Sequence, residues 1–456
     1  MVAAGNHRIT APRTRYAVFL PLALFASGAM AQPASNGDRV EYVFKSGDTL
    51  YELAEKYFRK QGDYLIVQRQ NRIANPRKIS IGKKVTIPFR LLKYRATEAS
   101  LSAFRGKVSI ASDGRQLTPA KGLDIAEGSQ ITTAAGSFVT LSLEDGSRIS
   151  MPSNSRVRIT RLRHILLTDS VDYEFSVNNG RVRSKVVPFD RKQDRYRVRT
   201  PVAVSAVRGT DYRIRVDENS GTAYSETVEG SVDVAAGQEV GAANSVSVPA
   251  GQGAAATVTG ELLTANLLDE PQLVEPAKVQ SDPELRFEFQ NAASQTGEIK
   301  GYRMLISSDA GFVDILDEKN STAAVMQLPA IPDGRYFGKA TSVAANGFEG
   351  LPTTFSFKRV LSTIGGTAGQ GDFGYRFKWA GEGKGKRLYR FQLVPGEKTA
   401  LPMIDEAGLT EDVLTLSDLP DGDYFWRIGV TQFSGDPEDP EPVEKWTEFE
   451  KLTVAG

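Results

Sequence analysis

The stretch that decides the local fold most clearly is YVFKSGDTLYELAEKY, residues 42–57. It opens with a short run typical of a strand, and the triplet Ser46-Gly47-Asp48 favours a turn after it. Thr49 precedes Glu52 by three positions, which is the capping-box spacing that begins a helix. The apolar residues that follow recur at helical spacing and form one face: Leu50, Leu53, Ala54 and Tyr57. The stretch therefore predicts a strand, a turn and an amphipathic helix.

The residues downstream predict a second helix and a second strand. Asp63 is a suitable N-cap for this helix, and its apolar residues are expected to face inward: Tyr64, Leu65 and Val67. Asn75-Pro76 ends the helical region, because a residue before proline avoids helical backbone angles. The run from Lys84 to Pro88 closes the segment as a strand. We therefore expect a small βααβ module over residues 40–90.

This segment resembles the LysM (lysin motif) family nearly throughout. The shared positions follow the family's order and spacing: Tyr42 to Leu50, Leu53-Ala54, Tyr57, Asn71 to Pro76, Ile79, Gly82 and Ile87-Pro88. LysM modules bind glycans that contain N-acetylglucosamine, in bacteria chiefly peptidoglycan, between the loop after the first strand and the loop after the second helix. The resemblance implies glycan binding by these residues of the two loops: Gly47, Asp48, Thr49, Leu50, Ile73, Asn75, Pro76 and Ile79. The same residue types are typical of turns and helix caps, so a purely structural role is the alternative.

Residues 101–260 are typical of an all-β domain, either a sandwich or a solenoid of stacked hairpins. Strand-like runs are separated by turn pairs such as Asp145-Gly146, Asn179-Gly180 and Glu229-Gly230. The segment resembles a FecR-type domain in several motifs: Gly128 to Thr133, Leu143 to Ser147, Asn179 to Val182, Arg199 to Pro201, Val207 to Tyr212, Val228 to Val232 and Pro249 to Gln252. Iron-sensing members of that family place the domain after an anti-sigma segment and a membrane span. Neither is recognisable here, so sigma-factor signalling is not carried over.

Basic residues alternate along three runs of this domain, and period two places them on one strand face. The runs are Arg156-Arg158-Arg161-Arg163, Arg181-Arg183-Lys185 and Arg195-Arg197-Arg199. We expect solvent-exposed strand faces, and the alternative is a surface for anionic glycan or lipid headgroups. The first 260 residues are basic and the remainder is acidic, which indicates either docking between the two parts or simple solubility.

The C-terminal part contains a repeat. IPDGRYF at residues 331–337 recurs as LPDGDYF at residues 419–425, a period too long for a solenoid and suited to tandem β-sandwiches. We place these sandwiches at residues 270–360 and 361–456. They resemble fibronectin type III or related immunoglobulin-like domains, which are usually spacers or platforms for partners. The whole chain is thus expected to be a mainly β, multidomain protein.

The N-terminus has the features of a secretory signal peptide over residues 1–31. A basic leader precedes an apolar run from Tyr16 to Met30, and Ala29-Met30-Ala31 supplies a small-x-small cleavage site. The chain has no cysteine, which removes disulfides, thiol catalysis and thiolate metal sites. We therefore expect an exported, periplasmic protein without a membrane span in the mature chain.

The composition argues against an enzyme. Of the two histidines, His7 lies in the expected leader, and His164 cannot form a multi-histidine metal site. We expect no catalytic residue, metal or cofactor, and no nucleic-acid partner. The leading hypothesis is a non-catalytic cell-envelope protein that binds peptidoglycan and presents its β-domains to other envelope proteins. The alternative is a periplasmic sensor or regulator whose FecR-type domain binds a signalling partner, and a carboxylate-dependent wall hydrolase is the weakest option.

The leader makes a direct prediction. The mature protein should begin at Gln32 or close to it, because the cleavage motif ends at Ala31. N-terminal sequencing of the protein recovered from the cell envelope measures this. An intact Met1 on the recovered protein would contradict cleavage.

Overall fold

Strands dominate the computed structural model of the chain, which confirms the mainly β fold class. The structure describes residues 39–237, 244–292, 297–434 and 440–455, all within one compact unit, Ser35–Gly456. The expected signal peptide, residues 1–31, lies outside the described residues. Among the residues that the structure describes, no helix is long and apolar enough to cross a membrane.

The N-terminal module, residues 39–91, has the expected βααβ order. Its elements are β1 (Arg39–Val43), α1 (Leu50–Tyr57), a 3-10 turn (Gln61–Asp63), α2 (Tyr64–Gln70), β2 (Lys84–Pro88) and a second 3-10 turn (Phe89–Leu91). The strands β1 and β2 pair antiparallel, with Arg39 opposite Pro88 and Val43 opposite Lys84. The helices and strands enclose a core of buried apolar side chains that includes Val40, Phe44, Leu50, Leu53, Phe58, Val67, Val85 and Ile87.

One helix cap in this module is confirmed and one is wrong. The Thr49 hydroxyl accepts from the Glu52 backbone N–H at 3.2 Å, as the capping-box spacing predicts. The Glu52 carboxylate accepts from the Thr49 hydroxyl at 2.9 Å, whereas a complete capping box would use the Thr49 backbone N–H. Asp63 makes no capping hydrogen bond, because its backbone is already helical (φ −65°, ψ −12°). An N-cap needs extended angles for its side chain to turn back. Leu65 was expected to face inward but is 47% exposed.

The central domain, residues 94–266, is built from short antiparallel and parallel strands. They are β3 (Tyr94–Ala96), β4 (Ala99–Arg105), β5 (Val108–Ser112), β6 (Arg115–Leu117), β7 (Asp124–Ile125), β8 (Gln130–Thr133), β9 (Phe138–Ser142), β10 (Arg148–Met151), β11 (Arg156–Ile165), β12 (Ser170–Lys185), β13 (Arg195–Arg199), β14 (Ala203–Val207), β15 (Asp211–Val216), β16 (Ala223–Glu229), β17 (Ser231–Ala236), β18 (Ser245–Pro249), β19 (Gln252–Ala256) and β20 (Leu262–Asn266).

These strands form two sheets with an apolar core between them. The first sheet has the order β6-β5-β8-β11-β12-β13-β14-β17-β18. The second has the order β7-β4-β9-β10-β12-β15-β16-β19-β20. Later hairpins alternate between the sheets: β15–β16 joins the second, β17–β18 the first and β19–β20 the second. The domain therefore has the two layers of a sandwich and the chain-order stacking of a solenoid.

The strand β12 belongs to both sheets, and Gly180 marks the passage between them. Residues before Asn179 pair with β11 and β13, whereas residues from Gly180 onward pair with β15. Gly180 has φ +78°, and a Cβ there would lie 2.4 Å from the Asn154 carbonyl oxygen. Asn179-Gly180 was expected to separate two strands. It instead bends one long strand, because the local signal for positive φ does not specify which strands pair on either side.

The C-terminal part contains two β-sandwiches, as the repeat predicts. The first consists of β21 (Gln272–Leu273), β22 (Leu285–Gln290), β23 (Ile299–Ser307), β24 (Ile315–Ser321), β25 (Val325–Leu328), β26 (Gly334–Ala344) and β27 (Glu349–Arg359). The second consists of β28 (Gly365–Gly371), β29 (Gly374–Ala380), β30 (Lys386–Pro395), β31 (Ile404–Leu409), β32 (Val413–Leu416), β33 (Gly422–Phe433), β34 (Val443–Trp446) and β35 (Glu450–Val454). Sheets β21-β22-β25 and β24-β23-β26-β27 correspond to β28-β29-β32 and β31-β30-β33-β34, with β35 also on β33.

The repeated sequence motif forms the same corner in both sandwiches. Tyr336 donates its hydroxyl proton to the Pro332 carbonyl at 3.0 Å, and Tyr424 donates to the Pro420 carbonyl at 2.9 Å. This is the tyrosine corner of immunoglobulin-like sandwiches, which fixes the loop that enters a central strand. The repeat therefore reflects a shared structural requirement.

Two of the three basic runs are not the exposed faces that we expected. Arg195 lies 2.9 Å from Asp172, and Arg197 lies 3.1 Å from Glu174, with both carboxylates buried on the neighbouring β12. The alternation of period two correctly predicts that these arginines share one face of β13. It does not predict the carboxylates that the parallel neighbouring strand places against that face.

The run from Arg181 to Lys185 faces the first sandwich with its half-buried Arg181 and Arg183, whereas Lys185 is exposed as expected. Its Arg181 guanidinium lies 2.8 Å from the Glu349 carboxylate at the start of β27. Apolar residues of both domains pack beside this pair: Phe138 of the central domain with Leu305, Phe312 and Ile315 of the sandwich. The expectation of a solvent-exposed face holds for Arg156 and Arg158 of the remaining run.

Removing one tyrosine hydroxyl tests whether the two corners act independently. We expect Tyr424→Phe to lower the free energy of unfolding of the second sandwich by about 0.5–1.5 kcal/mol, the net contribution of one hydrogen bond. The chain has three tryptophans, and all lie in that sandwich (Trp379, Trp426 and Trp446), so tryptophan fluorescence during urea unfolding reports on it. Tyr336→Phe removes the same bond from the first sandwich and is the matched control. A tryptophan transition that moves equally in both variants would contradict independent corners.

Candidate glycan-binding site

The two loops that carry the predicted site residues lie against each other. One connects β1 to α1, and the other connects α2 to β2. The Leu50 backbone N–H donates to the Pro76 carbonyl at 3.2 Å, which ties the end of the first loop to the middle of the second. Residues about 25 positions apart in the chain therefore border one surface.

The first loop is organised around the Asp48 carboxylate. Its Oδ2 atom accepts from the Tyr42 hydroxyl at 2.7 Å and from the Lys45 backbone N–H at 2.8 Å. Burial and the contact with Asp48 raise the pKa of Tyr42, so this hydroxyl remains a proton donor. Gly47 has φ +88°, which favours glycine in this turn. Among the described residues, Oδ1 of Asp48 has no hydrogen-bond partner.

The second loop is shaped by two asparagines with different roles. Asn71 accepts from the Thr86 N–H at 2.7 Å and donates to the carbonyls of Val67 at 2.8 Å and Thr86 at 2.7 Å. It therefore fastens the end of α2 to β2. Asn75 accepts from the Arg77 N–H at 2.9 Å and forms a local turn. Its side-chain amide nitrogen has no partner within the part of the chain that the structure describes.

The predicted site residues divide into exposed groups and core groups. Leu50 is fully buried and Ile73 is 6% exposed, so their side chains belong to the module core. Any contact from these two would come from their backbone. The other predicted residues are partly or fully exposed: Gly47, Asp48, Thr49, Asn75, Pro76 and Ile79. The residues that hold the two loops, Tyr42 and Asn71, are not among the expected site residues.

The accessible groups suit a sugar with an N-acetyl substituent. A carboxylate oxygen accepts from hydroxyl or amide groups, and a carboxamide nitrogen donates to hydroxyl or carbonyl oxygens. Pro76 and Ile79 add partly exposed apolar surface on the second loop. The rim is basic, with Arg72, Arg77 and Lys78 exposed. The described residues contain no cluster of side chains that could hold a metal ion.

Two protein families match separate parts of the chain. The LysM domain family matches residues 42–88, and the FecR protein family matches residues 129–233. The chain therefore contains a LysM domain and a FecR-type domain, which confirms both expected resemblances. Both are families of binding or regulatory domains. No curated protein matches the chain.

Solved structures of low sequence identity resemble parts of the chain. A proposed anti-sigma factor from Parabacteroides distasonis is 17% identical over 30% of this chain and 59% of its own, with a TM-score of 0.25. This chain thus spans 59% of that protein. A two-domain fibronectin type III segment of chicken tenascin is 12% identical over 41% of this chain and 100% of its own, with a TM-score of 0.20. Fibronectin(III)-like modules of Clostridium thermocellum CbhA are 11% identical over 40% and 93%, with a TM-score of 0.19.

The different roles of the two asparagines can be tested by hydrogen exchange. Asn71→Ala removes three hydrogen bonds of about 1 kcal/mol each, so we expect backbone amides of α2 and β2 to exchange up to about a hundredfold faster. Asn75→Ala is the matched control and should leave these amides unchanged, because its bond is local to an exposed turn. Mass spectrometry of peptides from residues 64–88 measures both. Equal acceleration in the two variants would contradict the assignment.

Proposed function

We propose that this chain is a non-catalytic cell-envelope protein that binds peptidoglycan through its LysM module. The observation that carries the proposal is the joining of the two loops by the bond from Leu50 N–H to the Pro76 carbonyl. It places the uncommitted polar atoms of Asp48 and Asn75 on loops that border one surface. The central domain and the sandwiches act as a scaffold that presents surfaces to other envelope proteins.

The proposed ligand is a glycan that contains N-acetylglucosamine. Its hydroxyl and acetamido groups match the acceptor on Asp48 and the donor on Asn75, and its acetamido methyl matches Pro76 and Ile79. One shallow module with few hydrogen bonds supports weak binding, with a dissociation constant of about 1 µM to 1 mM. The proposal includes export to the periplasm after cleavage near Ala31, because peptidoglycan lies outside the inner membrane.

A second candidate function is a periplasmic sensor or regulator. The match of residues 129–233 to the FecR protein family favours it. In this version the central domain binds a signalling partner, and the LysM module places the protein at the cell wall. The two functions are compatible and differ in whether wall binding changes the affinity of the central domain for that partner.

Co-sedimentation of the mature full-length chain with purified sacculi tests the main proposal. The wild-type chain should sediment, and soluble N-acetylglucosamine oligomers should compete. Asp48→Asn keeps an oxygen that can accept from the Tyr42 hydroxyl and the Lys45 N–H, and it replaces the free carboxylate oxygen with an amide nitrogen. Because that acceptor is lost, the affinity for sacculi should fall about 3- to 10-fold. Asn75→Ala should weaken binding similarly.

Asp63→Asn is the matched control, because Asp63 lies at the other end of α2 and makes no capping bond. It should bind sacculi like the wild type, and circular dichroism should show all variants folded. Undiminished sedimentation of both loop variants would assign wall binding to another surface. Release of soluble muropeptides from the sacculi would contradict a non-catalytic role.

A further inference from the structure

A cavity of about 190 Å³ lies between the central domain and the first sandwich. Six cationic side chains of the central domain line it: Arg148, Arg181, Arg183, Lys185, Arg213 and Arg215. The first sandwich adds Arg303 and Lys339, whereas the lining carboxylates are Glu226 and Glu349. The lining therefore contains more cationic than anionic side chains.

The six cations of the central domain oppose each other directly across neighbouring strands. The partners in register are Arg148 with Lys185, Arg183 with Arg213, and Arg181 with Arg215. Like charges directly opposite in a ladder destabilise a sheet. Such an arrangement requires compensation by nearby anionic groups.

Carboxylates compensate some of these cations. In the central domain, Asp211 lies 2.6 Å from Arg183, Asp217 lies 3.3 Å from Arg215 and Glu226 lies 3.1 Å from Arg213. From the first sandwich, Glu349 lies 2.8 Å from Arg181. Within that sandwich, Glu318 lies 2.6 Å from Arg303. The opposed pair Arg148 and Lys185 has no ion-pair partner among the described residues. Lys185 is exposed and Arg148 is partly exposed, so the pair without a carboxylate lies at the solvent-accessible side of the cavity.

Lys339 on β26 is the third cation without a carboxylate. It is 8% exposed, and its ammonium lies 3.7 Å from the centre of the Phe312 ring. Within the described part of the chain no ion pair or hydrogen bond compensates it. Burying an ammonium without a counter-ion is costly, and a cation–π contact offsets a small part of that cost. Its presence in the cavity wall points to an anion that the cavity binds.

We propose that this cavity binds a small tetrahedral oxyanion of the phosphate type, held by Arg148, Lys185 and Lys339. The planar guanidinium of arginine can donate paired hydrogen bonds to phosphate oxygens, and the ammonium of lysine adds a compact positive charge. A volume of about 190 Å³ is below the roughly 300–1,000 Å³ of drug-sized pockets, which favours a compact anion. This site is separate from the glycan-binding proposal and does not depend on it.

Calorimetry on the mature full-length chain tests the site with inorganic phosphate as the probe. Phosphate should bind at one site per chain and raise the unfolding temperature of the wild type, because a ligand of the folded state stabilises it. Sodium chloride at the same ionic strength should not. A shift of equal size in chloride, or no phosphate binding, would overturn the proposal. A parallel titration with glycerol phosphate separates the sources, since stronger binding of the ester assigns the site to a phosphomonoester.

Lys339→Met keeps the apolar stem against Phe312 and removes the charge. We expect phosphate affinity to fall about 10- to 100-fold. Without phosphate this variant should be at least as stable as the wild type, because it removes an uncompensated buried charge. Arg148→Gln should weaken phosphate binding in the same way. Lys319→Met, on the exposed strand β24 of the same sandwich, is the matched control and should bind like the wild type. Unchanged affinity in both cavity variants would refute the site.

Discussion

The joint between the central domain and the first sandwich depends on the Glu349 carboxylate. It accepts from Arg181 at 2.8 Å and Arg213 at 3.1 Å in the central domain, and from Arg303 at 3.1 Å and Thr341 at 2.9 Å in the sandwich. Burial by itself would raise the pKa of Glu349, but the charges of the three arginines outweigh it and hold the pKa well below its usual range. The carboxylate therefore stays ionised. Its loss would leave three arginines around a buried position without their shared anion, a strongly destabilising situation.

A second set of buried contacts connects the LysM module to the central domain. The N-terminal module also packs on the central domain: Ile165 of β11 belongs to its core, and the Arg195 guanidinium lies 3.5 Å from the centre of the Phe89 ring. The LysM module, the central domain and the first sandwich are thus joined by buried contacts. The proposed function needs this continuity, because a flexible linker would separate wall binding from the surfaces that the protein is proposed to present.

Features set by neighbouring residues could be predicted from the sequence, and features set by distant partners could not. The Thr49 cap follows from a residue three positions away, and the tyrosine corners follow from one short motif. The shared face of Arg181, Arg183 and Lys185 also followed from strand periodicity. The residues that cover this face could not be predicted, because Glu349 lies 168 positions from Arg181 in the chain. The same limit applies within the candidate site, where the loops could be named but the holding roles of Tyr42 and Asn71 depend on contacts across the module.

The opposite net charges of the two parts of the chain suggested docking by overall attraction, and the joint shows a different arrangement. The acidic residues Asp436, Glu438 and Asp439 lie outside the described residues, and the carboxylate that joins the two domains is Glu349. If the two domains associated through overall charge attraction, the sandwich would place only carboxylates against the basic face of the central domain. The sandwich instead adds Arg303 and Lys339 to it. At physiological salt, charges beyond about 8 Å are largely screened, so the fit depends on individual contacts. Positive charge that these contacts do not neutralise is concentrated in the cavity wall, where a mobile anion would complete the joint.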